Sequence, residues 1–180
     1  MSLVQRIGKA TRKAFGLKEP AAKRKAIQEV QFPNALFLPE VVKILREGHT
    51  VTLSLAGYSM RPFLEHKRDK ALLKMPENPV VGDPILAEIS PGHFVLHRII
   101  RIDGDEVTLR GDGNLGNEYC RRENLVGAVV GFYRKGREKL DRTDGWKWKI
   151  YSWLWTRLYP VRRYLLAAYR RLWIPVFGAM

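Results

Sequence analysis

The sequence predicts a mainly β protein: a coiled, barrel-like sheet of short strands over about residues 50–140, flanked at both ends by amphipathic helices. Three observations carry this. Six β-branched or aromatic segments follow one another closely: VTLSLA, ALLKM, ILAEI, HFVLHRIIRI, EVTLRGD and LVGAVVGFYRK. Turn signals separate them, among them Glu-Asn-Pro, Val-Gly-Asp-Pro, Ser-Pro-Gly and Asp-Gly-Asp. Outside this region the apolar spacing becomes helical and cations crowd between the apolar positions.

Three segments follow: a basic amphipathic arm over 1–31, a β domain over 32–143, and a Trp/Arg-rich helical tail over 144–180. In the arm, Leu3, Val4, Ile7, Ala10, Ala14 and Phe15 recur at helical spacing up to Gly16. Residues 20–31 read as a polar, basic linker or a second helix. Pro39 suits the first turn of a helix, PEVVKILREG, that Gly48 stops. Within the β domain, IIRIDGDEVTLR reads as a hairpin closed at Asp103-Gly104. The tail begins at Asp144-Gly145, and Pro160 divides it into two helices.

The net charge of +14 is unevenly placed. Residues 1–30 carry eight Lys/Arg against two acids and residues 145–180 seven against none, whereas 31–144 carries 17 against 16. Cations on the arms of a nearly neutral domain point to adhesion on an anionic surface and not to sequence readout of nucleic acid. All five tryptophans lie beyond Asp144. Aromatic residues with arginines at helical spacing are the pattern of a helix in a membrane interface. On that reading Trp146, Trp148, Trp153, Trp155, Arg162, Arg163, Arg170, Arg171 and Trp173 contact lipid. The same residues also fit a helical hairpin packed on the β domain; four tryptophans within ten residues favour the interface.

The single cysteine, Cys120, excludes an internal disulfide framework and a cysteine-based structural zinc site. No metal or cofactor is expected. The N-terminal residues lack the uninterrupted apolar run of a secretory signal, because Arg6, Lys9, Arg12 and Lys13 break it. No window reaches the ~18 uncharged apolar residues of a spanning helix. The expected location is cytoplasmic, peripheral on the inner face of the cell membrane.

Chemistry concentrates around GYSMRP, where Ser59 follows the first strand. A serine hydroxyl needs a base to become a nucleophile. Of the four histidines (49, 66, 93 and 97), His97 alone lies within a strand, FVLHRII, between apolar neighbours. Partial desolvation there keeps an imidazole neutral, as a general base requires, although a core histidine with one hydrogen bond fits the same position. The other three fall in turns and read as solvated.

GYSMRP, RDKALL, VGDPI, HRII, RGDGN and LVGAVVG, in that order over about residues 48–133, resemble the signal peptidase I superfamily, whose fold the self-cleaving repressors of the SOS response share. The resemblance implies a serine peptidase acting on a peptide or protein substrate. Ser59 would be the nucleophile and His97 the general base, as in the branch that uses histidine in place of lysine. It implies a nucleophile and oxyanion box of Gly57, Ser59 and Met60, with the Ser59 amide as chief oxyanion donor because Gly57 replaces a serine. An acid following the Gly-Asp-x-Asn box would orient the histidine. Here that position falls on Glu118, with Asp112 in the box as the competing candidate; Asp112 also suits a purely structural turn role. The family's N-terminal membrane anchor has no counterpart in this sequence. A catalytically inactive peptide-binding module of the same fold is the alternative.

Overall fold

The computed structural model describes residues 34–179, which fall within one compact unit. The expectations for residues 1–31 lie outside the described residues.

Helix α1 (Asn34–Arg46) begins earlier than Pro39 suggests, so the proline lies inside it. Its apolar stripe, Leu38, Val41, Val42 and Leu45, is buried. Leu45 packs where Gly127 has no side chain, since a Cβ there would stand 3.2 Å from Leu45 Cδ1. Gly48, at φ +85°, ends the helix as expected.

Eight antiparallel strands follow: β1 (Val51–Ser54), β2 (Lys70–Lys74), β3 (Pro84–Ser90), β4 (His93–Asp103), β5 (Glu106–Arg110), β6 (Glu118–Arg121), β7 (Leu125–Tyr133) and β8 (Leu140–Arg142). They form one sheet in the order β1-β2-β7-β3-β4-β5-β6, with β8 also paired to β7. The protein is thus mainly β as expected, but the sheet is open, with β1 and β6 at the ends of its path and unpaired to each other. The barrel-like closure read from the strand spacing is not present among the described residues. Register shifts in the β2–β7, β3–β4, β3–β7 and β4–β5 ladders raise the local twist of the sheet without joining its edges. The β4–β5 hairpin pairs Asp103 with Glu106, around Gly104 at φ +59°.

β6 and β8 are additions to the six strands read from the sequence. Both are short, and their sequences, EYCR and LDR, lack an apolar alternation that would announce them.

The tail opens on helix α2 (Trp146–Arg157), starting at Gly145. A 3-10 turn at Tyr159–Val161 contains Pro160 and leads to α3 (Arg162–Ala168), a π-helical turn Tyr169–Trp173 and α4 (Ile174–Phe177). No helix among the described residues is long and apolar enough to cross a membrane.

The separate, lipid-facing tail is corrected in part. Trp148, Trp155 and Arg162 are buried against the rest of the protein and cannot contact lipid. Trp148 lies in the main core cluster and meets the Phe63 ring at 4.8 Å and the Phe132 ring at 5.2 Å. Arg162 donates to the Trp155 carbonyl at 2.6 Å. One face of α2 therefore completes the core of the β domain. Trp146, Trp153, Trp173, Arg163, Arg170 and Arg171 remain exposed.

Candidate active site

Ser59 sits in the turn between β1 and β2. Residues Met60 and Leu64 of this turn are buried in the core, and Phe63 stacks on the Tyr151 ring of α2 at 4.7 Å. The apolar positions after the serine thus act as pegs that fix the turn. Gly57 is required by conformation: its φ is +92°, while a Cβ there would meet nothing within 4 Å. Its N–H donates to His66 Nδ1 at 2.8 Å, so His66 is a half-buried turn anchor and not simply solvated. That leaves the Gly57 amide occupied. The amides of Ser59 and Met60 donate to no acceptor among the described residues.

His97 is at the centre of β4, which β3 and β5 flank, and is 3 % exposed. The register Arg98↔Arg110 continues so that Gly111 falls opposite His97. The space left by Gly111 is what assembles the site. A Cβ there would stand 2.4 Å from the Ser59 carbonyl oxygen and 3.0 Å from His97 Nε2. Ser59 and His97, 38 positions apart in sequence, therefore converge on one glycine. Gly113 serves a similar purpose: its N–H donates to the Ser59 carbonyl at 2.7 Å, and a Cβ on it would lie 2.7 Å from the Tyr58 carbonyl.

Glu118 opens β6, and its Oε2 lies 2.5 Å from His97 Nδ1. This contact makes Nδ1 the protonated nitrogen and leaves the Nε2 lone pair turned towards Gly111 and the Ser59 turn. Burial lowers the His97 pKa from its ordinary 6.5, and the charge and hydrogen bond of Glu118 oppose that shift only in part. The imidazole is neutral at pH 7 as a result. The Ser59 hydroxyl makes no hydrogen bond to His97 or to any other described residue.

Asp112 does not touch His97. It is 1 % exposed and accepts two hydrogen bonds from Arg98, Nε at 2.9 Å and Nη2 at 2.6 Å, and a third from the Tyr151 hydroxyl at 3.0 Å. Burial pushes the Tyr151 phenol well above its ordinary pKa, so it stays a donor. The Asp112 carbonyl accepts from Trp155 Nε1 at 2.9 Å. Arg98 also donates to Ser152 Oγ at 2.5 Å and to the Gly82 carbonyl at 2.8 Å. Of the two acids left open by the sequence, Glu118 is the one at the histidine, and Asp112 ties the 111–114 loop to α2.

Arg98, Tyr151, Ser152 and Trp155 were not foreseen as supports of this loop. The only sequence signal for Arg98 is its place beside His97 in a central strand, where alternation sends the two side chains to opposite faces. Asp69, in RDKALL, is fully buried and supports the Ser59 turn from its far end. It accepts from Arg68, from the Glu65 amide at 2.9 Å and from the Lys135 amide at 2.9 Å.

Among the described residues no cluster of three or more His, Cys, Asp or Glu side chains could hold a metal ion. A crevice of about 840 Å3 lies between α2 and the β2–β3 and β7–β8 connections, and neither Ser59, His97 nor Glu118 lines it. Compared with known proteins, the chain matches no family model, and no curated protein is significantly similar to it.

Proposed function

We propose that this protein is a serine peptidase of signal-peptidase-like fold, cleaving a peptide bond in a peptide or protein substrate. The observation that carries the reading is the contact of Glu118 Oε2 with His97 Nδ1 at 2.5 Å, with the opposite imidazole nitrogen facing the Ser59 turn across Gly111. In the reaction the Ser59 Oγ–H bond breaks as Oγ attacks the substrate carbonyl carbon, and His97 Nε2 takes the proton. The carbonyl oxygen becomes an oxyanion held by the free amides of Ser59 and Met60. The imidazolium, steadied by Glu118, then gives its proton to the leaving amine and an acyl-enzyme remains. Water hydrolyses it by the same route in reverse, and Ser59 regains its hydrogen. Asp112 has no step in this sequence. We also place the enzyme on the inner face of an anionic membrane, on the strength of the seven uncompensated cations in 145–180.

The test needs no known substrate. A fluorophosphonate probe reports activated serines, and mass spectrometry identifies the modified peptide. The wild type is expected to label at Ser59, and Ser59→Ala and His97→Ala are expected to abolish labelling. Labelling that survives His97→Ala refutes the assignment.

One observation favours a second reading, a peptide-binding module without catalysis: the Ser59 hydroxyl is not hydrogen-bonded to His97. Catalytic hydrogen bonds are often loose until substrate binds, so the peptidase reading stands first. A wild type that does not label but binds extended peptides would support the module.

A further inference from the structure

Helix α2 has two apolar faces, and only one is used by the fold. Trp148, Ser152 and Trp155 point inward. On the opposite side, about 180° around the helix, Trp146, Ile150, Trp153 and Leu154 are 69 %, 56 %, 59 % and 46 % exposed. The exposed Lys147, Lys149 and Arg157 border them, and the Arg157 guanidinium lies 4.7 Å above the Trp153 ring. The end of the tail repeats the pattern: Leu172, Val176 and Phe177 are each about 70 % exposed, beside Arg170 and Arg171.

We infer that this outward face of the tail, and not the tail as a whole, is a docking surface for an anionic phospholipid bilayer. The inference rests on the membrane placement proposed above and assigns it to particular side chains. Charge complementarity selects the occupant. No Asp or Glu occurs from 145 to 180, so the tail's own charges beside the apolar centre are all positive, with Asp144, near Lys149, and the Glu77 and Asp83 of the adjoining crevice the acids at its edge. A second copy of the chain joined through this face by a two-fold axis would set cation against cation. Nucleic acid would match the charge but would leave two tryptophans, an isoleucine and a leucine without an apolar environment. A bilayer interface satisfies both at once, with indole rings at headgroup depth and cations at the phosphates. The inward face meanwhile holds the 111–114 loop through Tyr151 and Trp155, so docking leaves the clamp on the candidate site in place.

Flotation of the full chain with phosphatidylcholine vesicles carrying about 30 % phosphatidylglycerol tests this, with pure phosphatidylcholine vesicles as the comparison. The wild type is expected to float with the anionic vesicles, and less so at high salt. The triple variant Trp146→Ser/Ile150→Ser/Trp153→Ser is expected to lose at least about tenfold in vesicle affinity, since three large apolar groups no longer enter the interface. Its melting temperature and fluorophosphonate labelling should match the wild type. A second variant, Lys147→Ala/Lys149→Ala/Arg157→Ala, guards against misfolding of the first and should lose anionic selectivity. If the wild type does not float, the membrane placement and this inference both fall. If the wild type floats and both variants float equally well, this inference alone falls. Equal flotation with neutral vesicles, or a dimer in sedimentation that the triple variant dissolves, would also overturn it.

Discussion

Asp112 and Glu118 are six positions apart, and either could have served His97. Asp112→Asn separates their roles while preserving side-chain volume. The Asp112 carboxylate is almost fully buried, with Arg98 as its bidentate partner and Tyr151 as a third donor. Neutralising it strands a guanidinium that is itself 1 % exposed. Removing one partner of such a buried pair costs about 3–5 kcal/mol. In a protein of this size 1 kcal/mol moves the melting temperature by about 2–4 °C, so a loss of roughly 6–20 °C is expected. Glu118→Gln should behave in the opposite way. The Glu118 side chain is 30 % exposed and makes one contact, so its loss should leave the melting temperature within about 3 °C of wild type. It should, however, slow labelling of Ser59. A charge-assisted hydrogen bond contributes about 1.5–3 kcal/mol, which corresponds to roughly 10- to 160-fold in rate. The assays are thermal unfolding by circular dichroism and the fluorophosphonate labelling rate at 25 °C, both at pH 7. The reasoning is refuted if Asp112→Asn melts with the wild type, or if Glu118→Gln labels at the wild-type rate.

Further outcomes follow from the same geometry. The labelling rate should fall on the acid side with an apparent pKa below 6.5, because His97 must be neutral and burial lowers its pKa; removing the Glu118 charge, which opposes that shift, should move the acid limb lower still. Stability should follow the same residue: an unfolded His97 takes its proton first, so the His97 contribution is complete above pH 6.5 and is lost as pH falls through the folded value. Denaturant titrations at stepped pH check this, with His97→Gln removing that part of the slope. Gly111→Ala should reduce labelling by about 100-fold or more, since its Cβ would collide with the Ser59 carbonyl and displacements near 1 Å cost that much; wild-type labelling would dismiss the convergence on Gly111. Gly57→Ala should cost about 1–2 kcal/mol in denaturant unfolding, because φ +92° is strained for any residue with a Cβ, even though open space surrounds it.

Local pattern placed two of the candidate residues on their elements, and the roles of Ser59, His97 and Glu118 came from the resemblance of the ordered boxes. Apolar, strand-forming residues on both sides of His97 place it within a strand, and GYSMRP after VTLSLA places Ser59 just past the first strand. Helical spacing and the run of cations mark the tail, and Gly145 and Pro160 mark its breaks. What spacing could not convey is which partners a folded chain brings across long separations. Glu118 and Asp112 offer the same functional group, and only the register of β5 and β6 sends one to the histidine and the other beneath the loop. Gly111 reads as turn chemistry in sequence, yet tertiary packing makes it the point where two distant residues meet. The open sheet has the same origin, since strand count and length do not determine whether the first strand meets the last. The tryptophans make the point most clearly. Their number announces a helix rich in apolar surface, but Trp148 and Trp155 are buried and Trp146 and Trp153 exposed because the β domain covers one side of α2. An amphipathic pattern records how much apolar surface a helix carries; only the tertiary structure decides which part of it remains for another surface to cover.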